Sequence, residues 1–240
     1  MVGTTNFLKR EEVLDNYDPK REYALEILKE RGLIEDAWDA VELFEDAIAS
    51  YTGAPYAVAV DNCTDALFLC LKRCKVPGNT VIIPKRTYCS VPMTIANAGF
   101  GYKFSDIEWS GAYQLAPTTI YDSALRLTKD MYERGTFQCL SFHRKKILKL
   151  TKGGMILTDD LESAEWFKEV RSKGRHPHNK VFYTDEVFNS MGWNMYMHPE
   201  DAAKGFLIFE ELPKCNEDAG GHQTYYDLSQ RELFIRHETH

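Results

Sequence analysis

Long apolar runs are missing from this sequence. No stretch approaches the roughly 20 residues needed to cross a bilayer. The opening MVGTTNFLKREEVLDNYDPKREY holds no apolar core of secretory-signal length. Neither a membrane partner nor export is expected, and the expected compartment is the cytoplasm. Six cysteines (Cys63, Cys70, Cys74, Cys89, Cys139, Cys215) stand without CxxC spacing or matched histidines. That pattern reads as reduced thiols and gives no metal site. Positive charge is in deficit, with 29 Lys and Arg against 36 Asp and Glu for a net −7. General affinity for nucleic acid is therefore not expected. Internal repeats, low-complexity tracts and a GxxxxGK[ST] phosphate loop are all absent.

What is present is an ordinary globular composition, 44% hydrophobic and 27% charged over 240 residues. It suits one large domain with appendages. Residues 20–32 read as a charged helix stopped by Gly32. Residues 36–51 read as an amphipathic helix, with Ala37, Val41, Phe44, Ile48 and Tyr51 at three- and four-residue steps. Strands follow at YAVAV (56–60), TVIIP (80–84), YKFSDI (102–107), TTIYDSA (118–124), FQCLSF (137–142) and GGMILT (153–158). Helices are expected in between, at DALFLCLKRC and VPMTIANAG, and again at 160–174 and from Ala202 to Leu212. Residues 108–118 and 175–187 read as irregular, and the segment after Pro213 has little apolar periodicity. Alternating strands and helices imply an α/β sheet with helices on its faces.

Several junctions carry chemistry. In DNCTDAL (61–67) a strand turns into a helix opened by Thr64 and Asp65. Thr64 either caps that helix or helps its free N–H groups hold a phosphate. Tyr88, in a loop after a strand, is either a half-buried loop residue or a stacking surface for a planar ligand. Asp122 ends a strand as a helix cap for SALRL or as the partner of a buried cation. In SFHRKKILKLTKGGMILTDD (141–160), Ser141 ends a strand, Lys146 follows five residues later, and Gly153-Gly154 turn the chain into another strand. This is a basic surface hairpin or the setting of one lysine. A lysine that attacks a carbonyl must be partly neutral, and desolvation or the neighbouring Arg144, Lys145 and Lys149 would depress it.

Five of these segments, in order, resemble the DegT/DnrJ/StrS family of pyridoxal-phosphate (PLP) sugar aminotransferases. FEDAIASYTGAPYAVAVDNCTDALFLCL is similar to the region around NSGTDAL, and IPKRTYCSVPMTIANAG to the segment with the ring-stacking aromatic. IYDSA is similar to VIEDAAQ, and SFHRKKILKLTKGGMILTDD to SFHxxKxxxxGEGG. GWNMYMHPEDAAKGFLIFEEL is similar to GYNxRMxxxQAAxGxxQLxxL. The resemblance covers roughly residues 35–212.

It implies the fold of aspartate aminotransferase, a three-layer αβα PLP-dependent transferase (fold type I) with a mostly parallel sheet. Residues 1–35 would be an N-terminal helical segment. Residues 36–212 would form the PLP-binding large domain, abridged between 107 and 120. Residues 213–240 would be a tail, with most of the C-terminal small domain lacking. Lys146 would attach the cofactor and shuttle the proton, and Asp122 would pair with the pyridinium nitrogen. Tyr88 would stack on the ring, and Thr64, Asp65 (through its backbone N–H) and Ser141 would bind the phosphate, with Asn62 replacing a serine hydroxyl. Asn194 would reach the phosphate of a neighbouring subunit, so the functional unit would be a homodimer with shared active sites. The implied reaction moves an amino group from an amino-acid donor, glutamate, to a nucleotide-linked keto sugar. Family dehydratases carry histidine in place of the lysine. The alternative is a non-catalytic homologue that binds PLP or a nucleotide sugar, or serves in assembly. The sequence departs from the family pattern at Cys63, Leu125, Lys152 and Tyr196, where the family has glycine, glutamine or histidine, glutamate and arginine.

Overall fold

The computed structural model describes residues 23–175, 188 and 190–239. The tract expected to be irregular at 175–187 lies, apart from Arg175, outside them. After helices α1 (Ala24–Glu30) and α2 (Asp39–Thr52), the chain alternates through β1 (Tyr56–Val60), α3 (Cys63–Arg73), β2 (Thr80–Pro84), α4 (Ser90–Asn97) and β3 (Gly101–Ser105). Four strands follow, β4 (Tyr113–Gln114), β5 (Ile120–Asp122), β6 (Phe137–Ser141) and β7 (Gly154–Thr158). Helices α5 (Leu161–Val170), α6 (Pro199–Glu210) and α7 (Glu232–His237) complete the described chain.

The sheet runs β1-β7-β6-β5-β4, and β2 pairs with β3. Reciprocal backbone bonds between Ile82 and Ala116, 2.7 and 3.1 Å, join the two pieces just past β4. Side chains alternate across this surface. Val58, Val60, Ile120, Cys139 and Ile156 face α3, α4 and α5. Ala57, Ala59, Leu140, Met155 and Leu157 face α2 and α6, with α1 packed outside α6. Both faces of β1, β6 and β7 are covered, which is why these strands read as continuous apolar runs. The three layers are those expected.

The pairing is not mostly parallel. β5–β6 and β2–β3 are parallel, but β1–β7, β6–β7 and β4–β5 are antiparallel. No helix lies between β6 and β7 to carry the chain back across the sheet, so β7 returns in the opposite sense.

Residues 213–239 differ from the expected tail. Leu228 and Phe234 are buried in the α3-side core. The hydroxyl of Tyr102 donates to the Phe234 carbonyl at 2.9 Å, and Leu228 N–H donates to the Lys85 carbonyl at 2.8 Å. Short turns and the six-residue helix α7, anchored by distant partners, order this segment, and elements this short carry little helical or strand period.

Candidate active site

The N-terminus of α3, the end of β5, the loop after β6 and the segment 218–228 converge on one region. At α3 the cap is Asn62, not Thr64. Asn62 Oδ1 accepts the Asp65 N–H at 2.9 Å, while its amide donates to the Asp65 carboxylate at 2.8 Å. Thr64 lies inside the helix, and its hydroxyl is 2.9 Å from that of Ser90 on α4. The Asp65 N–H expected to meet a phosphate is therefore already engaged. Cys63 takes no positive φ, so it does not need a glycine's conformational freedom.

Glycine is needed opposite it. A Cβ at Gly154 would lie 2.5 Å from the Asn62 carbonyl carbon and 2.6 Å from the Cys63 nitrogen. Gly154 also pairs with Ser141 across β6–β7. The glycine thus seats β7 against the α3 N-terminus and brings Ser141 to the same end as Asn62, Thr64 and Asp65.

Asp122 is 6% exposed. No helix follows it, so the capping alternative does not hold. Its Oδ1 closes a turn by accepting the Ala124 N–H at 3.0 Å, and its Oδ2 accepts the Tyr113 hydroxyl at 2.8 Å. The Tyr113 oxygen is in turn hydrogen-bonded to Thr87. Burial raises the Asp122 pKa above the usual carboxylate value, opposed by the Ala124 N–H, the Tyr113 hydroxyl and the Lys146 charge.

Of the basic cluster, Arg144, Lys145 and Lys149 are exposed and Lys146 is half-buried. Burial is the main cause that lowers the Lys146 pKa, with Asp122 and Cys63 opposing and Lys145 adding a smaller push down. Desolvation therefore does most of what the sequence left open to neighbouring cations. The Lys146 amine is 3.5 Å from the hydroxyl of Tyr225. Tyr225 stacks on Trp109 at 5.8 Å and 24° and meets Tyr88 edge-on at 6.4 Å. Tyr88 is 56% exposed. Cys63 borders both Asp122 and Lys146, and burial holds its thiol well above its usual pKa.

Lys152 pairs with Asp61, the residue that ends the β1 turn. A lysine where the resemblance has an acid thus meets an acid where it has an asparagine, and the pair is neutral overall. Asn194 is exposed and bridges Ser172 through its backbone. Leu125 is buried and apolar. Tyr113, Thr87, Ser90, Cys63 and Tyr225 were missed as site residues. The first three follow short hydroxyl contacts that only the fold makes, and Tyr225 lies in a segment without a motif. Among the described residues no group of three or more His, Cys, Asp or Glu is placed to hold a metal, and no helix is long and apolar enough to cross a membrane.

The three-layer αβα frame is that of the fold type I enzymes, and it carries a buried carboxylate and a half-buried lysine coupled by charge. AtS13 from Actinomadura melliaura shares this fold at a TM-score of 0.65, with 18% identity over 80% of this chain and 65% of its own. The chain belongs to the DegT/DnrJ/EryC1/StrS aminotransferase family, whose model matches residues 17–129 and 127–238. It is 27% identical to the spore coat polysaccharide biosynthesis protein SpsC of Bacillus subtilis (strain 168), over 84% of this chain and 66% of that protein. It is 25% identical to the GDP-perosamine synthase of Caulobacter vibrioides, over 80% of this chain and 62% of that enzyme. The chain thus spans less than two thirds of the length of these relatives.

PLP is the cofactor that the family implies, and the donor set fits it. A buried carboxylate suits the ring nitrogen and a half-buried amine suits the aldehyde. An exposed aromatic face and hydroxyls near the α3 N-terminus suit the ring and the phosphate.

Proposed function

We propose that this protein is a PLP-dependent aminotransferase. It moves an amino group from an amino-acid donor, glutamate, to a nucleotide-linked keto sugar in surface polysaccharide or amino-sugar biosynthesis in the cytoplasm. The observation that carries the reading is the half-buried Lys146 in the loop after β6, coupled by charge to the buried Asp122 at the end of β5. Lys146 attaches the cofactor and carries the proton during transfer. Asp122, buried and oriented by Tyr113, holds a proton at the ring nitrogen. Tyr88 stacks on the ring, and Thr64 and Ser141 bind the phosphate, while Asn62 and Asp65, bonded to each other, fix the α3 N-terminus that carries Thr64. Asn194, exposed on its own chain, reaches the phosphate of a second copy in a homodimer. When bound, the cofactor supplies the electron sink, and the protein supplies position and protonation state. The names of the relatives, for spore coat polysaccharide biosynthesis and GDP-perosamine synthesis, support a nucleotide-sugar substrate.

Purified protein mixed with PLP is expected to turn yellow, to lose the colour when glutamate is added, and to yield a Lys146 label after borohydride reduction. Lys146→Ala is expected to abolish the colour. Absence of colour in the wild type would overturn the reading. Leu125, buried and apolar where the family pattern has glutamine or histidine, supports a second reading as a binding or assembly homologue. Colour that no amino donor bleaches would favour it.

A further inference from the structure

The Lys146 amine has a neighbour from a part of the chain that no motif reaches. Tyr225 places its hydroxyl 3.5 Å from the Lys146 Nζ, at the outer limit of a hydrogen bond. Its ring is held on two sides, stacked on Trp109 and edge-on to Tyr88. The backbone that carries it is pinned as well. His222 N–H donates to the Trp109 carbonyl at 3.0 Å, and Leu228 N–H to the Lys85 carbonyl at 2.8 Å. The guanidinium of Arg126 grips both carboxylate oxygens of Asp218 at 2.8 Å. A phenol fixed this firmly on one side of a flexible four-carbon side chain limits where its amine can sit.

We infer that Tyr225 is a positioning residue for Lys146, accepting a hydrogen bond from its ammonium and fixing where the amine sits. The inference rests on the reading of Lys146 as the cofactor lysine. Burial pushes the Tyr225 phenol far above its usual pKa, so it stays neutral and acts as a hydrogen-bonding dipole. The charged or titratable groups that face the Lys146 amine are Asp122 from β5, Cys63 from α3, and Lys145 and His143 from its own loop. None of them is altered when the Tyr225 oxygen is removed. A hydrogen bond to the ammonium favours the charged form, so its loss moves the amine's titration to lower pH.

The test is peptide-resolved modification of Lys146 by trinitrobenzenesulfonate across pH, on protein without added PLP. Tyr225→Phe keeps the ring and removes the oxygen. Its expected profile midpoint lies at lower pH, with Lys146 modified roughly threefold faster below the midpoint, in line with a weak net hydrogen bond. The melting temperature is expected to stay near the wild-type value. Tyr226→Phe, which removes a neighbouring hydroxyl on a 78% exposed residue, is expected to leave the profile unchanged. A Tyr225→Phe profile that superimposes on the wild type, or an equal shift in Tyr226→Phe, would overturn the inference. Reductive trapping of wild-type protein with PLP and borohydride tests the cofactor reading separately. Label on other lysines but not on Lys146 would sink that reading, whatever the Tyr225 profile shows.

Discussion

The hydroxyl of Tyr113 donates to Asp122 Oδ2 at 2.8 Å, and both groups are buried. This contact ties β4, a two-residue strand in the abridged stretch, to the carboxylate at the end of β5. Tyr113→Phe removes the donor, leaving that oxygen unsatisfied in a dry site, at about 1–3 kcal/mol of stability. It also removes a bond that favours the charged carboxylate, so Asp122 is expected to titrate at still higher pH. Urea denaturation reads the first effect. The second predicts that PLP binding by Tyr113→Phe weakens; binding equal to wild type would count against a role for this pair.

Asp65 has its pKa raised to about 6, chiefly by burial and next by Asp61, with Lys152 and Asn62 opposing. A carboxyl whose folded pKa exceeds its unfolded value binds more protons when folded. Its contribution to stability is therefore greatest below about pH 4 and declines as pH rises to about 6. Relative to Asp65→Asn, the wild type is expected to lose melting temperature across that window and to run parallel to it above. Lys152→Ala is expected to move the Asp65 midpoint up and Asp61→Asn to move it down, as read by NMR of the side-chain carboxyl. The ion pair itself is exposed, worth about 0–1 kcal/mol, so titration and not melting is the sensitive readout.

Glu45 and Arg171, both buried, pair at the outer edge of β1. Glu45 accepts the Ala59 N–H at 2.8 Å, and Arg171 donates to the Ala59 carbonyl. The pair satisfies backbone groups of a strand that ends the sheet among the described residues, where the isolated bridge from Val60 to Tyr196 meets its far end. Glu45→Ala is expected to destabilise by about 3–5 kcal/mol, since it strands a buried guanidinium as well as an N–H. Replacing both residues with methionine removes the charges but leaves Ala59 unsatisfied. The double variant is therefore expected to stay below wild type in urea denaturation. Full recovery would show that the edge finds other partners.

Gly154→Ala places a methyl group within 2.6 Å of the Asn62 and Cys63 backbone. Both sides of this contact are main chain and cannot move alone. The expected result is a loss of about 1–3 kcal/mol, with weaker PLP binding because β7 and the α3 N-terminus are forced apart. Unchanged binding with lowered stability would separate the packing role from the phosphate end.

Much of the frame can be read from the residues because its strands are short, apolar runs, buried on both faces in β1, β6 and β7 and on one face in β2. YAVAV and TVIIP stand out as apolar runs and occupy the strands expected of them. The cap of α3 was harder, since Asn62 and Thr64 are both capping types two positions apart and only the turn geometry selects Asn62. β4 was invisible because two residues have no period. Tyr225 was invisible for another reason: it meets Trp109, Tyr88 and Lys146, all far from it in sequence.

The sequence by itself determined the layered α/β class and the order of the local motifs, and its resemblance to the family pattern pointed to Lys146 between Ser141 and the double glycine. These depend on periodicity, turn chemistry and spacing, which act over a few residues. Only the tertiary structure decided strand direction, the burial of Asp122 and half-burial of Lys146, the pairing of Lys152 with Asp61, and the arrival of Tyr225. Burial and cross-chain contact arise when distant segments pack, and desolvation sets the direction of both pKa shifts.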